Sequence, residues 1–106
     1  MKRFIVSFAC SLLFIFAAKA QDVLPVRGFC IGAPNAAQLD EFIKFINEEL
    51  APRNVNTLVL RIDYNYRFER HPELIDKDAL TKTQVKKLVA TCQEHHIRLI
   101  PQINLL

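Results

Sequence analysis

Four polar residues lie at the ends of two apolar runs, and within each run the two polar residues are two positions apart. One run ends in Arg61-Ile-Asp63 and the other in Gln102-Ile-Asn104. Residues two apart in a β-strand share a face, so each pair would project its polar groups together. Guanidinium, carboxylate and amide groups can hydrogen-bond a hydroxyl-rich substrate. The alternative is structural: Arg61 and Asp63 form an internal ion pair, because buried charges require a partner.

A long aromatic segment follows the first pair. It extends from Tyr64 to Leu80 and includes Tyr66 and Phe68. Loops of this length in compact domains are usually functional or disordered, and the aromatic content argues against disorder. Aromatic faces beside polar donors suit sugar rings, although the same rings could simply pack the loop onto the fold. The sequence therefore predicts a carbohydrate-binding site made of Asp63, Tyr64, Gln102 and Asn104.

The elements that position these residues alternate between strand and helix. The apolar runs predict strands at Val23–Ile31, Thr57–Asp63 and Ile97–Ile103. The order β-α-β-α-β with helical crossovers predicts a parallel sheet with right-handed connections. No glycine-rich phosphate loop follows the first strand, which argues against a dinucleotide-binding fold.

Capping signals mark the two predicted helices. An Asn35-x-x-Gln38 box and a helical apolar period predict a first helix over 36–50, closed by Pro52. A Thr81-x-x-Gln84 box opens the second helix, which is predicted to end near His95-His96, where cations suit the negative helix end. Each predicted helix therefore connects two predicted strands.

The distribution of polar residues on the strands favours a closed barrel. One face of the second strand is wholly apolar (Leu58, Leu60, Ile62), and the other becomes polar only at its C-terminal end. An open doubly wound sheet carries helices on both faces, so both faces tend to be apolar. The interior of a (β/α)8 barrel instead turns polar at the top, where the active site lies. We expect an α/β fold comprising the first two and a half βα units of a TIM barrel, truncated in strand three.

Residues 1–20 have the form of a secretory signal peptide. Lys2 and Arg3 precede an apolar stretch, and Ala18-Lys-Ala20 provides a small-x-small cleavage site. The apolar stretch is shorter than the roughly 20 residues that a membrane span requires. We expect a secreted or periplasmic protein with no membrane attachment after cleavage. Residues 21–106 would be the N-terminal part of a catalytic domain.

The charge balance, the cysteines and the histidines limit which partners, disulfides and cofactors are expected. The signal holds three of the 14 basic residues, and the remainder balance the 11 acidic residues, so no nucleic-acid partner is expected. Export permits a disulfide, but Cys30 in a strand and Cys92 on an apolar helix face indicate two buried free thiols. His71 and the His95-His96 pair lack metal-site spacing. Neither a metal nor an organic cofactor is expected.

Four stretches resemble the start of the family 20 glycoside hydrolases, the β-N-acetylhexosaminidases and their relatives. They are 26–29 (VRGF), 56–63 (NTLVLRID), 80–89 (LTKTQVKKLV) and 97–104 (IRLIPQIN). The resemblance implies a (β/α)8 barrel that hydrolyses the O-glycosidic bonds of terminal N-acetyl-hexosamine residues with retention. A Glu is then the general acid, and the substrate's acetamido group is the nucleophile. The family's catalytic Asp-Glu pair follows strand four, beyond Leu106, so no catalytic residue is expected within this chain.

The chain also departs from that family. Gln102 and Asn104 stand where the family typically has Glu and Asp, and Arg61-Ile-Asp63 stands where it usually has a His-rich run. No Arg follows the first strand to hold the sugar. Two alternatives therefore stay open. One is a non-catalytic carbohydrate-binding barrel, and the other is a small α/β interaction domain whose exposed third strand pairs with a partner.

Overall fold

A computed structural model of the protein describes residues 24–104. The predicted signal peptide, residues 1–20, lies outside this range, as does Val23 of the predicted first strand. Within it the chain is an α/β fold with a parallel three-stranded sheet in the order β1-β2-β3. The strands are β1 (Gly28–Gly32), β2 (Thr57–Arg61) and β3 (Arg98–Gln102). The predicted β-α-β-α-β order is confirmed.

The strands are shorter than predicted. The first does not begin before Gly28: Pro25 has no N–H to donate, and the Arg27 N–H donates to the Asn56 side-chain oxygen at 2.8 Å instead of to a strand. The second ends at Arg61, because Asp63 has a φ of 46°, which belongs to the left-handed region and not to a strand. The third extends from Arg98 to Gln102, one residue shorter at each end than predicted.

The first helical segment extends further than predicted. Its central helix, α1 (Leu39–Phe45), follows a capped 3-10 turn at Ala36–Gln38. It continues through a π turn at Ile46–Leu50 and a final 3-10 turn at Ala51–Arg53. Pro52 does not close the helix at Leu50, because in the first turn of that 3-10 segment its missing N–H needs no partner. The chain turns out of the helix at Asn54, which has a φ of 57°.

The second helix, α2 (Lys82–Glu94), begins where its capping box predicts. The Gln84 N–H donates to the Thr81 hydroxyl oxygen at 3.3 Å, and the Thr81 N–H donates to the Gln84 side chain at 2.9 Å. His95 caps the other end, and His96 follows in the left-handed conformation. The Asn35–Gln38 box is likewise formed. Both predicted helix starts are confirmed.

Both helical segments pack on the same face of the sheet. Leu58 and Leu60 of β2 are almost fully buried beneath them. The core is completed by apolar residues of the helical segments and of the positions just before α2 and β3: Leu39, Phe42, Ile46, Leu50, Leu80, Leu88, Cys92 and Ile97. The predicted division between an apolar covered face and a second face is therefore confirmed along β2.

The other face of the sheet, here called the open face, carries Cys30, Val59, Ile100, Arg61 and Gln102. The first three form one row across the strands, and the last two belong to the next row toward the C-terminal ends. No element of the described range packs on this face. As a result Cys30 is exposed, so its predicted burial is wrong, whereas Cys92 is buried; both thiols are free. Burial raises the pKa of the Cys92 thiol.

No helix between residues 24 and 104 combines the length and the apolar character that a membrane crossing requires.

Candidate functional site

Arg61 and Gln102 lie side by side at the C-terminal end of the open face. The parallel register pairs Arg61 of β2 with Gln102 of β3. The Ile62 N–H donates to the Gln102 carbonyl, and the Ala33 N–H donates to the Arg61 carbonyl, each at 2.8 Å. These two bonds hold the exits of the three strands level with one another. The two side chains that the alternation places on one face are therefore adjacent, and both are exposed.

Asp63 joins the ends of β2 and β3. One carboxylate oxygen lies 3.6 Å from the Arg61 Nε, and the other accepts the backbone N–H of Asn104 at 3.0 Å. The predicted Arg61–Asp63 ion pair thus exists, but it is largely exposed, and such pairs contribute at most about 1 kcal/mol. Asn104 reaches Asp63 through its main chain, so its side-chain amide takes no part in this contact. Asp63 therefore positions the strand exits as well as lining the site.

The segment after Asp63 is pinned to the sheet. The Asn65 amide donates to the Pro34 carbonyl at 2.6 Å and to the Ala33 carbonyl at 3.3 Å, which ties the segment to the exit of β1. The Asp76 N–H donates to the Tyr64 carbonyl at 3.0 Å and closes the segment on itself. Asn65 is not among the residues predicted from the sequence, although an Asn just after a strand commonly bonds nearby backbone in this way.

Two half-buried aromatic rings of this segment pack against each other. Tyr66 and Phe68 meet edge to face with their centroids 5.2 Å apart. Tyr66 also forms a bridge to Leu80 just before α2. These rings do the packing that the sequence offered as an alternative to sugar binding. Tyr64, in contrast, is 51% exposed.

A groove of about 310 Å³ runs between this segment and the end of β3. We call it the rim groove, and it is lined by Asp63, Tyr64, Phe68, His71, Leu74, Ile103 and Asn104. Three of the four predicted site residues therefore line one groove. Gln102 does not belong to it, because its side chain lies on the open face next to Arg61.

A second, more polar groove of about 490 Å³ lies on the other side of Asp63. Arg61 and Asp63 line it together with Asn65 and the Asp76–Asp78 turn. The Asp63 side chain thus borders both grooves. Within the described range, no cluster of three or more His, Cys, Asp or Glu side chains is placed to hold a metal ion.

His71 lies at the outer border of the rim groove and contacts Glu73. The His71 Nδ1 is 3.0 Å from a Glu73 carboxylate oxygen. The pKa of Glu73 is lowered, first by a hydrogen bond from its own backbone amide and then by the bond with His71. The pair is exposed on both sides, so it serves to orient the His71 ring more than to stabilise the fold.

No protein-family model matches the chain, and no curated protein matches it. Its function therefore has to be inferred from the arrangement of its own residues.

Proposed function

We propose that the chain forms the first two and a half βα units of a (β/α)8 glycoside hydrolase. By its resemblance to family 20, the whole enzyme would remove terminal N-acetyl-hexosamine residues outside the cytoplasm. The observation that carries this proposal is the pair Arg61 and Gln102. They lie together at the C-terminal end of a sheet face that carries no helix among residues 24–104, while both helical segments of that range pack on the opposite face.

The polarity of the open face favours a barrel over a doubly wound sheet. In a doubly wound fold, further helices would cover this face and bury the Arg61 guanidinium beneath them, at a cost that only a well-placed partner offsets. In a barrel the same face becomes the interior. Its apolar row of Cys30, Val59 and Ile100 would then fill the middle, and its polar row would stand at the mouth. The barrel therefore accounts for the apolar row and for the polar row of the open face, whereas the doubly wound sheet accounts only for the apolar one.

The polar groups at this end match a neutral sugar. Arg61 and Gln102 supply donors and an acceptor on the inner side, while Asp63 and Asn104 supply acceptors and an amide at the rim. In the proposed reaction these residues bind and orient the hydroxyl and acetamido groups. The general acid would be a Glu at the end of the fourth strand, and the acetamido oxygen would attack the anomeric carbon. No residue of this chain is assigned to proton transfer.

One feature favours a second candidate, a barrel that binds carbohydrate without cleaving it. Gln102 and Asn104 carry neutral amides where the resembling family typically has carboxylates. An amide can hold a hydroxyl, but it cannot exchange a proton with a leaving group near neutral pH. In this second candidate the acid of strand four would be lost as well.

The decisive experiment begins with the coding sequence downstream of the Leu106 codon. We expect a continuous frame with an Asp-Glu pair after the next strand. The complete product should hydrolyse an aryl N-acetyl-β-glucosaminide, and the first sugar released should retain its anomeric configuration. A frame that lacks the carboxylate pair, with sugar binding but no turnover, would instead establish the non-catalytic barrel.

Two arginines on the open face provide a matched comparison in that product. Arg61→Ala should lower kcat/KM about tenfold or more, because a hydrogen bond from a charged donor is worth about 1.5–3 kcal/mol. Arg98 lies on the same face but at the N-terminal end of β3. The Arg98→Ala variant should therefore keep its activity. Equal losses in the two variants would contradict a site at the C-terminal end.

A further inference from the structure

Exposed apolar side chains concentrate in the rim groove. Between residues 24 and 104, seven large apolar side chains are exposed, and three of them line this groove. They are Tyr64, Leu74 and Ile103, which are 51%, 43% and 47% exposed. Exposed apolar side chains scattered singly need no explanation, whereas a cluster in one concave place indicates a binding surface.

Hydrogen bonds hold both walls of the rim groove in place. The Tyr64 carbonyl accepts the Asp76 N–H, and the neighbouring Asn65 side chain is held by two carbonyls at the exit of β1. On the other wall, Ile103 follows directly after β3, and the Asn104 N–H is bonded to Asp63. Because both walls are fixed by hydrogen bonds, a ligand would bind without the cost of ordering them.

The polar groups of the groove favour a neutral ligand that is rich in hydroxyls. The charge of Asp63 is already matched by Arg61, and one of its oxygens holds the Asn104 N–H. The imidazole of His71 is likewise engaged with Glu73. The groups of the rim groove that can still bond a ligand are the Asp63 carboxylate as an acceptor, the Asn104 amide and the Tyr64 hydroxyl. They lie beside apolar surface. A pyranose ring has that combination, with an apolar C–H face and a rim of hydroxyls.

We propose that the rim groove is a subsite for the second sugar ring of the substrate, on the leaving-group side of the scissile bond, with Tyr64 stacked on that ring. This inference rests on the proposed function. The terminal sugar would lie over the open face, next to Arg61 and Gln102. The rim groove lies beyond Asp63 from these residues, so it receives the ring that comes next. Its volume of about 310 Å³ is at the lower end of the range for ligand pockets, which fits one ring.

The tyrosines of the chain allow a direct test. The sequence contains two tyrosines, Tyr64 and Tyr66, and no tryptophan. In a Tyr66→Phe variant of this 106-residue chain, tyrosine emission therefore reports on Tyr64 alone. Titration with N,N′-diacetylchitobiose should change this emission in a saturable way. Monomeric N-acetylglucosamine cannot occupy the open face and the rim groove at the same time. Its half-saturating concentration should therefore be about tenfold higher than that of the disaccharide.

Two further substitutions in the same background localise the response. Leu74→Ala should raise the half-saturating disaccharide concentration about threefold or more, because it removes part of the apolar wall. Val26→Ala is the matched control, since Val26 is an exposed apolar residue that does not line the groove. Circular dichroism of each variant should be unchanged.

The outcomes separate this inference from the proposed function. Equal half-saturation by the two sugars, or a Leu74→Ala variant that binds like its parent, would overturn the subsite and leave the hydrolase proposal standing. The absence of any emission change with the disaccharide would also overturn the subsite. The hydrolase proposal is decided independently, by turnover in the complete product.

Discussion

We expect the chain to self-associate through its sheet, and we expect the Ile100→Lys substitution to make it predominantly monomeric. Ile100 lies in the middle of β3 on the open face, in one row with Val59 and Cys30, and it is 38% exposed. In the described range, the outer edges of β1 and β3 have no strand partner. Unpaired edges promote intermolecular strand pairing, and an apolar open face adds a reason for two copies to meet.

The size of the effect follows from the exposure of Ile100. Full burial of an Ile side chain is worth about 1.5–3 kcal/mol. Because 38% of Ile100 remains exposed, covering it would contribute about 0.6–1.1 kcal/mol in each copy and about 1–2 kcal/mol in a symmetric pair. Each 1.4 kcal/mol is a factor of about ten in a dissociation constant. Removing this contribution should therefore weaken association roughly tenfold, and two facing Lys charges should weaken it further.

Sedimentation velocity over a wide range of protein concentration measures this change. Ala90→Lys is the matched control, because it adds the same charge at an exposed position of α2, away from the open face. We expect Ile100→Lys to reduce association and Ala90→Lys to leave it unchanged. Equal behaviour of the two variants would refute a role for the open face. A parent chain that is monomeric and unfolds in a sharp, reversible transition would refute the reasoning as a whole and favour the small α/β interaction domain.

Further measurements test the same structure. Leu60→Ala should lower the free energy of unfolding by about 2–5 kcal/mol in a urea titration, whereas Val59→Ala, on the open face, should cost less than half as much. Thr81→Ala removes the cap of α2 and should cost about 1 kcal/mol in the same assay. At pH 8, Ellman's reagent should titrate Cys30 quickly and Cys92 only on unfolding, because the raised pKa of Cys92 keeps it protonated up to a higher pH than an exposed thiol; equal rates would contradict its burial. Finally, the chain alone should not hydrolyse an aryl N-acetyl-β-glucosaminide above the buffer rate, because the carboxylates of the proposed reaction are not among its residues.

The features that the sequence predicted correctly are those decided locally. The capping boxes at Asn35 and Thr81 involve residues three apart, so the helix starts can be recognised from a few letters. The alternation of Leu58 and Leu60 identified the covered face of β2, because a period of two is imposed by the strand itself. Both features are set by residues that are close in sequence, and neither requires a contact with a distant part of the chain.

The features that the sequence could not predict depend on distant contacts. Cys30 lies in an apolar strand, which suggested burial, but its exposure depends on whether another element covers the open face. The start of β1 is set by Asn56, which takes the Arg27 N–H across 29 residues of sequence. The exit of β1 is in turn tied to Asn65, 31 residues beyond Pro34. Such pairings become visible only when the strands are placed side by side.

Asp63 shows how one such departure bears on the site. Strict alternation would have placed its side chain directly above Arg61, as one more residue of the open face. Instead a φ of 46° ends the strand pattern at this residue and turns the following chain outward, where Tyr64 lines the rim groove. A non-glycine residue in this conformation is uncommon, and Asp is among the residue types that tolerate it best. The carboxylate is held between Arg61 and the Asn104 N–H, and these two contacts favour the turn over a continued strand. The same residue therefore divides the C-terminal end of the sheet into an inner polar row and an outer apolar groove. In the proposed site, the terminal sugar ring would bind beside the inner row and the second ring in the outer groove.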